Sequence, residues 1–276
     1  MILSLVRTAT VVALVAALFF GAEGRAQTVE ELKAQVEAKE RALGPDHPDV
    51  ALSLNNLAEL YDSQGHYTLA EPLYKRSLAI YEKVRGPDDP DIAKGLNNLA
   101  LLYDTQGRYS QAEPMYWRSL AIYEKTRGAN HPDVAKSLNN LASLYHAQGQ
   151  YAQAEPLYLR SLAIAEKALG PDHPDVAIGL NNLAELYGTQ GRYAQAEPLY
   201  RRSLAIREKA LGVDHPDVAL SLNNLASHYH TQGQYGQAEP LYKRSLAIWE
   251  KTFGPDHPDV ALSLNNLAEL YHTQGR

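Results

Sequence analysis

The sequence predicts an all-α fold, an α-solenoid of stacked antiparallel helix pairs, and three observations carry the prediction. Gly44, Gly86, Gly128, Gly170, Gly212 and Gly254 stand 42 residues apart without a slip. The pairs Asn55–Asn56, Asn97–Asn98, Asn139–Asn140, Asn181–Asn182, Asn223–Asn224 and Asn265–Asn266 keep the same interval. Each interval also holds two stretches whose apolar residues recur at helical spacing, separated by a glycine. A fixed period with no insertion means identical units, each burying its apolar face on its neighbours.

The first 26 residues stand apart from the array. "MILSLVR" carries one Arg, "TATVVALVAALFF" is an apolar run, and "GAEGRA" supplies small residues. That order is the order of a secretory signal, with cleavage placed after Ala26. The apolar run from Ala9 to Phe20 falls short of the roughly 20 residues a spanning helix needs. The chain is therefore expected to be exported, periplasmic or secreted, with no membrane attachment after cleavage.

Residues 27–44 align with the second half of a unit and read as a lone capping helix. Thr28 and Glu31 have capping-box spacing. The solenoid then occupies 45–276, with repeats starting near 45, 87, 129, 171, 213 and 255, the last one incomplete. In each first helix a Pro such as Pro48 suits the first helical position, where its missing N–H has no partner to lose. Asp49 follows where its charge suits the positive helix end. Val50, Leu54, Leu57, Ala58 and Tyr61 form the core stripe, and Gly65 stops the helix.

The second helix carries Ala70, Leu73, Tyr74, Ser77, Leu78 and Tyr81 at helical spacing, with Lys83 and Arg85 before Gly86. Pro72 is tolerable if this helix begins near Thr68, since it then falls at the start, where N–H groups lack intrahelical partners. The count is twelve helices: one starter, six first helices and five second helices. The last helix presents Leu264, Leu267 and Tyr271 without a second helix to cover them, which suggests self-association through that face.

The stretch "LNNLAELYDSQGHYTLAEPLYKRSLAI" resembles a tetratricopeptide repeat, matching at Leu57, Ala58, Tyr61, Gly65, Tyr67, Ala70, Tyr74 and Ser77. It departs at Leu54, where the family often has Trp, and at Ser77, where it usually has Ala. The 42-residue length and the "HPDVA" connection are similar to the kinesin light chain type found in bacteria. The resemblance implies a right-handed solenoid, a protein-binding scaffold, and first helices that line the concave surface.

Composition excludes several chemistries. There is no cysteine, so disulfides, thiolate metal sites and cysteine nucleophiles are absent. The net charge is -6 with no basic stripe, which argues against nucleic acid. His47, His131, His173, His215 and His257 recur one repeat apart, too far separated to share a metal, and Asp89 replaces the histidine in the second copy. They read as helix-entry residues. The repeated serines at Ser77, Ser119, Ser161, Ser203 and Ser245 have no positioned base. Glu71, Glu82 and their counterparts read as solvated helix charge. No cofactor, metal or catalytic residue is expected.

Most of the 18 tyrosines recur at core positions. Trp117 and Trp249 fall where copies differ, and the variation suggests exposure. His228 replaces a Leu of the core stripe and reads as a partly buried, tolerated substitution.

The Asn pairs remain. Mid-helix Asn is about 0.5 kcal/mol worse than Ala, so twelve would cost about 6 kcal/mol. The sequence drifts on both sides of the pair. Leu52 becomes Lys94, Lys136 and Ile178, and Glu59 faces Leu101, Ser143 and Ser227. The pair never changes, which argues against passive copying. A 100° advance per residue puts Asn55 on a flank with Glu59, toward the expected groove. The candidate peptide-binding set is Asn55, Asn97, Asn139, Asn181, Asn223 and Asn265, with Lys94, Lys136, Glu59 and Glu185. The Asn56 series points toward the neighbouring repeat and suits an inter-repeat bond. Asp62, Asp104 and Glu269 add negative charge, so the groove is mixed. Two other readings stand beside the peptide-binding scaffold: a self-assembling envelope spacer, or the repeat region of a longer multidomain protein.

Overall fold

A computed structural model describes residues 27–276. The secretory-signal reading of residues 1–26 lies outside the described residues. The described chain is twelve α-helices with no strand among them. They fall into two compact units, divided after Gln148.

In the first unit, α1 is Val29–Leu43, α2 Pro48–Ser63, α3 Tyr67–Arg85, α4 Pro90–Thr105, α5 Tyr109–Arg127 and α6 Pro132–Ala147. Each of these helices packs on the next, and α2, α4 and α6 also touch in sequence. In the second unit, α7 is Tyr151–Leu169, α8 Pro174–Thr189, α9 Tyr193–Leu211, α10 Pro216–Thr231, α11 Tyr235–Phe253 and α12 Pro258–Thr273. Here too successive helices pack together, and α10 touches α12. None of the described helices is long and apolar enough to cross a membrane.

Local chemistry sets the helix ends. Thr28 Oγ1 accepts from the Glu31 N–H at 3.2 Å, and Glu31 Oε2 accepts from the Thr28 N–H at 2.7 Å. The capping box therefore holds α1 at its start. At the first helices, His47 Nδ1 accepts from the Asp49 N–H at 3.1 Å, and Asp89 Oδ1 accepts from the Asp91 N–H at 2.8 Å. One acceptor atom is all the cap requires, which is why Asp can stand in for His. At the other end, the Gly65 N–H donates to Asp62 O and the His66 N–H to Tyr61 O. This Schellman pattern needs a left-handed residue, and Gly65 supplies it with φ 75°.

Two details differ from the sequence reading. The second helix begins at Tyr67, so Pro72 lies inside it rather than at its start and removes one ladder bond. Burial of Ala70 and Tyr74 on either side offsets that loss. Ile80, not Leu78, completes the buried stripe of α3 with Ala70, Tyr74, Ser77 and Tyr81.

The repeated serines act as tethers. Ser77 Oγ donates to Ala51 O at 2.7 Å, and Ser119, Ser203 and Ser245 donate to the matching carbonyls at 2.7–2.8 Å. Each bond ties a second helix to the first helix of its own repeat. An alanine at this position has no hydroxyl to make the bond.

Candidate interaction surface

The first helices of each unit bring Asn pairs together, and three inter-repeat bonds each join the second member of one pair to the first member of the pair before it. Asn98 Nδ2 donates to Asn55 Oδ1 at 3.2 Å. Asn224 Nδ2 donates to Asn181 Oδ1 at 3.0 Å, and Asn266 Nδ2 to Asn223 Oδ1 at 2.8 Å. The donor lies 43 residues beyond the acceptor, one repeat plus one residue. A carboxamide has both donor and acceptor, so a single residue type can build such a ladder.

At these three places the two series share one bond, where the sequence suggested two separate tasks. Helical phase put Asn55 on a flank, but the next first helix closes over that flank. Asn55, Asn181 and Asn223 are buried, Asn97 and Asn139 are half-buried, and Asn265 is exposed. Asn97 Oδ1 is enclosed with no protein partner among the described residues. The second series makes the inter-repeat bond expected of it at Asn98, Asn224 and Asn266.

Glu59 is buried as well. Its Oε1 accepts from Asn55 Nδ2 at 2.6 Å and from Asn98 Nδ2 at 2.6 Å. Burial, and secondarily the Glu59 charge, push the nearby Asp62 carboxyl from 3.8 up to about 6. A raised folded-state value means that this group's stabilisation is full below about 4 and is lost as pH rises through 6. Asp62→Asn is expected to stabilise the protein by about 1 kcal/mol at pH 7.5. The gain should shrink toward pH 4, read by chemical unfolding across that range. Lys94 and Lys136 are exposed, and Glu185 is half-buried.

A second repeated cluster, absent from the candidate set, joins each second helix to the next repeat. In the first unit Tyr103 Oη donates to Glu71 Oε1 at 2.9 Å, Lys75 Nζ donates to it at 2.6 Å, and Arg108 Nη1 donates to Glu71 Oε2 at 2.7 Å. Hydrogen bonds from Arg108 foremost, then from Lys75 and Tyr103, draw the Glu71 carboxyl down to about 2 against the opposing effect of burial. The Arg108 guanidinium lies 4.1 Å from the Tyr103 ring centroid.

The tyrosine–glutamate bond recurs at Tyr145–Glu113, Tyr187–Glu155, Tyr229–Glu197 and Tyr271–Glu239, at 2.7–3.1 Å. Arg192 and Arg276 repeat the Arg108 role. At the Lys75 position of later repeats, Trp117 Nε1 and Arg201 Nη2 reach the tyrosine hydroxyls of Tyr145 and Tyr229. The sequence signal for this cluster was the invariant Glu71 series itself, which helical charge patterning alone had explained.

The tryptophans part company. Trp117 is 43% exposed, as variation suggested, but Trp249 is 2% exposed and fully in the core. It packs in a cluster with Val218, Leu220, Leu222 and Val260. The residues equivalent to Trp249 are Lys39, Tyr81, Tyr123, Ala165 and Arg207. Arg207 is itself 4% exposed, donating to Asp217 O at 3.0 Å and Ser221 Oγ at 2.8 Å. Variation at this place is variation in how one buried site is filled.

A family model described as tetratricopeptide repeat matches residues 8–83, 64–125, 118–167, 133–209, 177–247 and 217–276. No curated protein matches the chain. Among solved structures, it is similar to BtubC (BKLC) from P. vanneervenii, with 28% identity and a TM-score of 0.68 over 83% of this chain and 92% of that one. It is also similar to the kinesin light chain TPR-like repeats of Podosopora anserina, with 30% identity and a TM-score of 0.60 over 75% of this chain and 98% of that one. A likeness of fold extends to NprR, solved in complex with its cognate peptide NprX: 15% identity, a TM-score of 0.66, and 98% and 74% of the two chains.

Proposed function

This chain belongs to the tetratricopeptide repeat family, of the kinesin light chain-like kind, and from that premise we propose that it is a non-enzymatic scaffold that binds a protein or peptide segment along its first helices. One observation carries the reading. At the 52/94/136 position of the first unit an otherwise copied frame presents exposed side chains that are not all alike, Leu52 against Lys94 and Lys136. Exposure with variation on a rigid support is what a recognition surface needs, since the frame fixes the spacing and the side chains supply the chemistry. The asparagine ladder belongs to the frame, setting the interval at which those side chains stand. NprR, of the same fold, was solved with a cognate peptide, a precedent for the occupant. The signal-like composition of residues 1–26 supports action outside the cytoplasm.

Affinity capture from an envelope extract tests this, comparing wild type with Lys94→Glu/Lys136→Glu. The wild type is expected to retain at least one protein that the variant loses, with unchanged melting temperature. An identical retained set, or none, overturns the assignment.

A second reading, a self-assembling spacer, draws on α12. Leu264 is 48% exposed, whereas its equivalents Leu54, Leu96, Leu138, Leu180 and Leu222 are each 0–2% exposed. Concentration-dependent growth in light scattering favours assembly, and a clean monomer favours the binding scaffold.

A further inference from the structure

Each later junction between repeats holds a carboxylate from within the chain: Glu71, Glu113, Glu155, Glu197 or Glu239 sits on a tyrosine hydroxyl. The first junction departs from this rule. The residue one repeat before Glu71 is Val29, while the partners of the missing carboxylate are kept or replaced by polar equivalents. Lys33 stands for Lys75, Tyr61 for Tyr103, and His66 for Arg108.

These groups are gathered in space. Lys33 Nζ lies 5.7 Å from the Tyr61 ring centroid, and the Tyr61 ring meets His66 edge-on at 6.2 Å between centroids. Among the described residues no carboxylate bonds Tyr61 Oη. In its place an open cavity of about 620 Å³ is lined by Val29, Lys33, Leu60, Tyr61, His66 and Leu69. A cationic head and an imidazole thus both stand beside the Tyr61 ring, and aliphatic side chains share the lining.

We propose that this cavity is a carboxylate-binding site, taking from a ligand the group that the chain itself supplies at the other junctions. Charge-assisted bonds from Lys33 and Tyr61 hold the carboxylate, as Lys75 and Tyr103 hold Glu71. Val29, Leu60 and Leu69 accept an apolar neighbour. Glu30 also lines the cavity, and its charge acts on Lys33 from within the chain. The carboxylate comes from a peptide or protein ligand, as its free C-terminus or as an acidic side chain. The inference thus rests on the protein-binding reading, and its test runs without the partner.

The full chain is titrated with three probes while the His66 and Lys33 side-chain resonances are followed by NMR. The probes are N-acetyl-alanyl-leucine as the free acid, the same dipeptide as its C-terminal amide, and N-acetyl-glutamyl-leucine amide. Saturable shifts with the free acid identify a C-terminus, saturable shifts with the glutamyl probe identify a side chain, and the alanyl-leucine amide is expected to give none. Val29→Glu restores the internal carboxylate and is expected to abolish the response without lowering the melting temperature, since five junctions already carry that residue. No saturable shift with either acid, an equal response to the amide, or a Val29→Glu protein that responds like wild type overturns the proposal. Lys94→Glu/Lys136→Glu should leave the probe response intact. Failure of the first-helix surface and failure of this site are therefore separately visible.

Discussion

Replacing Trp249 with alanine is expected to destabilise the protein by about 3–5 kcal/mol, the usual cost of emptying a large buried aromatic site. The indole is 2% exposed and is enclosed by Val218, Leu220 and Leu222 of α10, Ile248 of α11 and Val260 of α12. It therefore fastens α11 to both neighbouring first helices. In a stack where each helix pair contacts only its neighbours, damage at one interface falls on the elements beyond it. Hydrogen exchange should show lost protection across Pro258–Thr273 before any loss in the first unit. Trp117→Ala serves as the control, because that side chain is 43% exposed, and less than about 1 kcal/mol is expected of it. Ala165 occupies the equivalent place in α7 and is buried there. A loss below about 1 kcal/mol at Trp249 would show that the surroundings collapse onto the smaller residue.

The same residue shows what the sequence could and could not disclose. Features set by neighbours in the chain were legible: the Thr28–Glu31 capping box, proline at the first helical position, glycine after the last turn, and the aliphatic stripe Val50–Leu54–Leu57–Ala58. Each depends on contacts within a few residues, which periodicity reports directly. The burial of Trp249 is hidden in the sequence because variation between copies ordinarily accompanies exposure, and here it accompanies a buried site filled in different ways. The partner of this site changes with it. Arg207 bonds Ser221 Oγ and Lys39 bonds Ser53 Oγ, whereas Ser263 Oγ, the serine matching Trp249, is buried without a partner among the described residues. Fourteen residues separate each such pair, a spacing that links a second helix to the next first helix and that single-helix geometry does not reveal. The asparagine ladder was hidden for a related reason. Its 43-residue donor–acceptor interval appears only once adjacent first helices are laid side by side. The bonding partner of Asn55, Asn181 and Asn223 is in each case the pair of the next repeat.

His228→Leu is expected to stabilise the protein by about 1–3 kcal/mol at neutral pH, and by more as the solution is acidified. The other copies carry Leu60, Leu102, Leu144, Leu186 and Leu270 here, all buried. His228 is 6% exposed, and its Nε2 is enclosed with no partner among the described residues. A buried polar atom left unbonded costs its desolvation, about 1–3 kcal/mol, and leucine removes the atom. The rings of Tyr193, Tyr200 and Tyr229 surround the imidazole at 5.3–5.8 Å between centroids. Burial holds the His228 pKa below its usual 6.5, with Glu197 pulling weakly the other way. That carboxylate is already committed to Tyr229 Oη at 2.8 Å and Arg201 Nε at 2.9 Å, so it offers the imidazolium little. Below about pH 6.5 the unfolded chain takes up a proton that the folded one resists, so wild-type stability falls as pH drops through that window. The leucine variant has no such group. Asp62 acts in the opposite sense over pH 6 to 4 and is common to both proteins, so the difference between their unfolding free energies isolates His228. That difference should widen from pH 7.5 to 5.5 in chemical unfolding, and a pH-independent difference would show that the imidazole is neither neutral nor dry in the folded state.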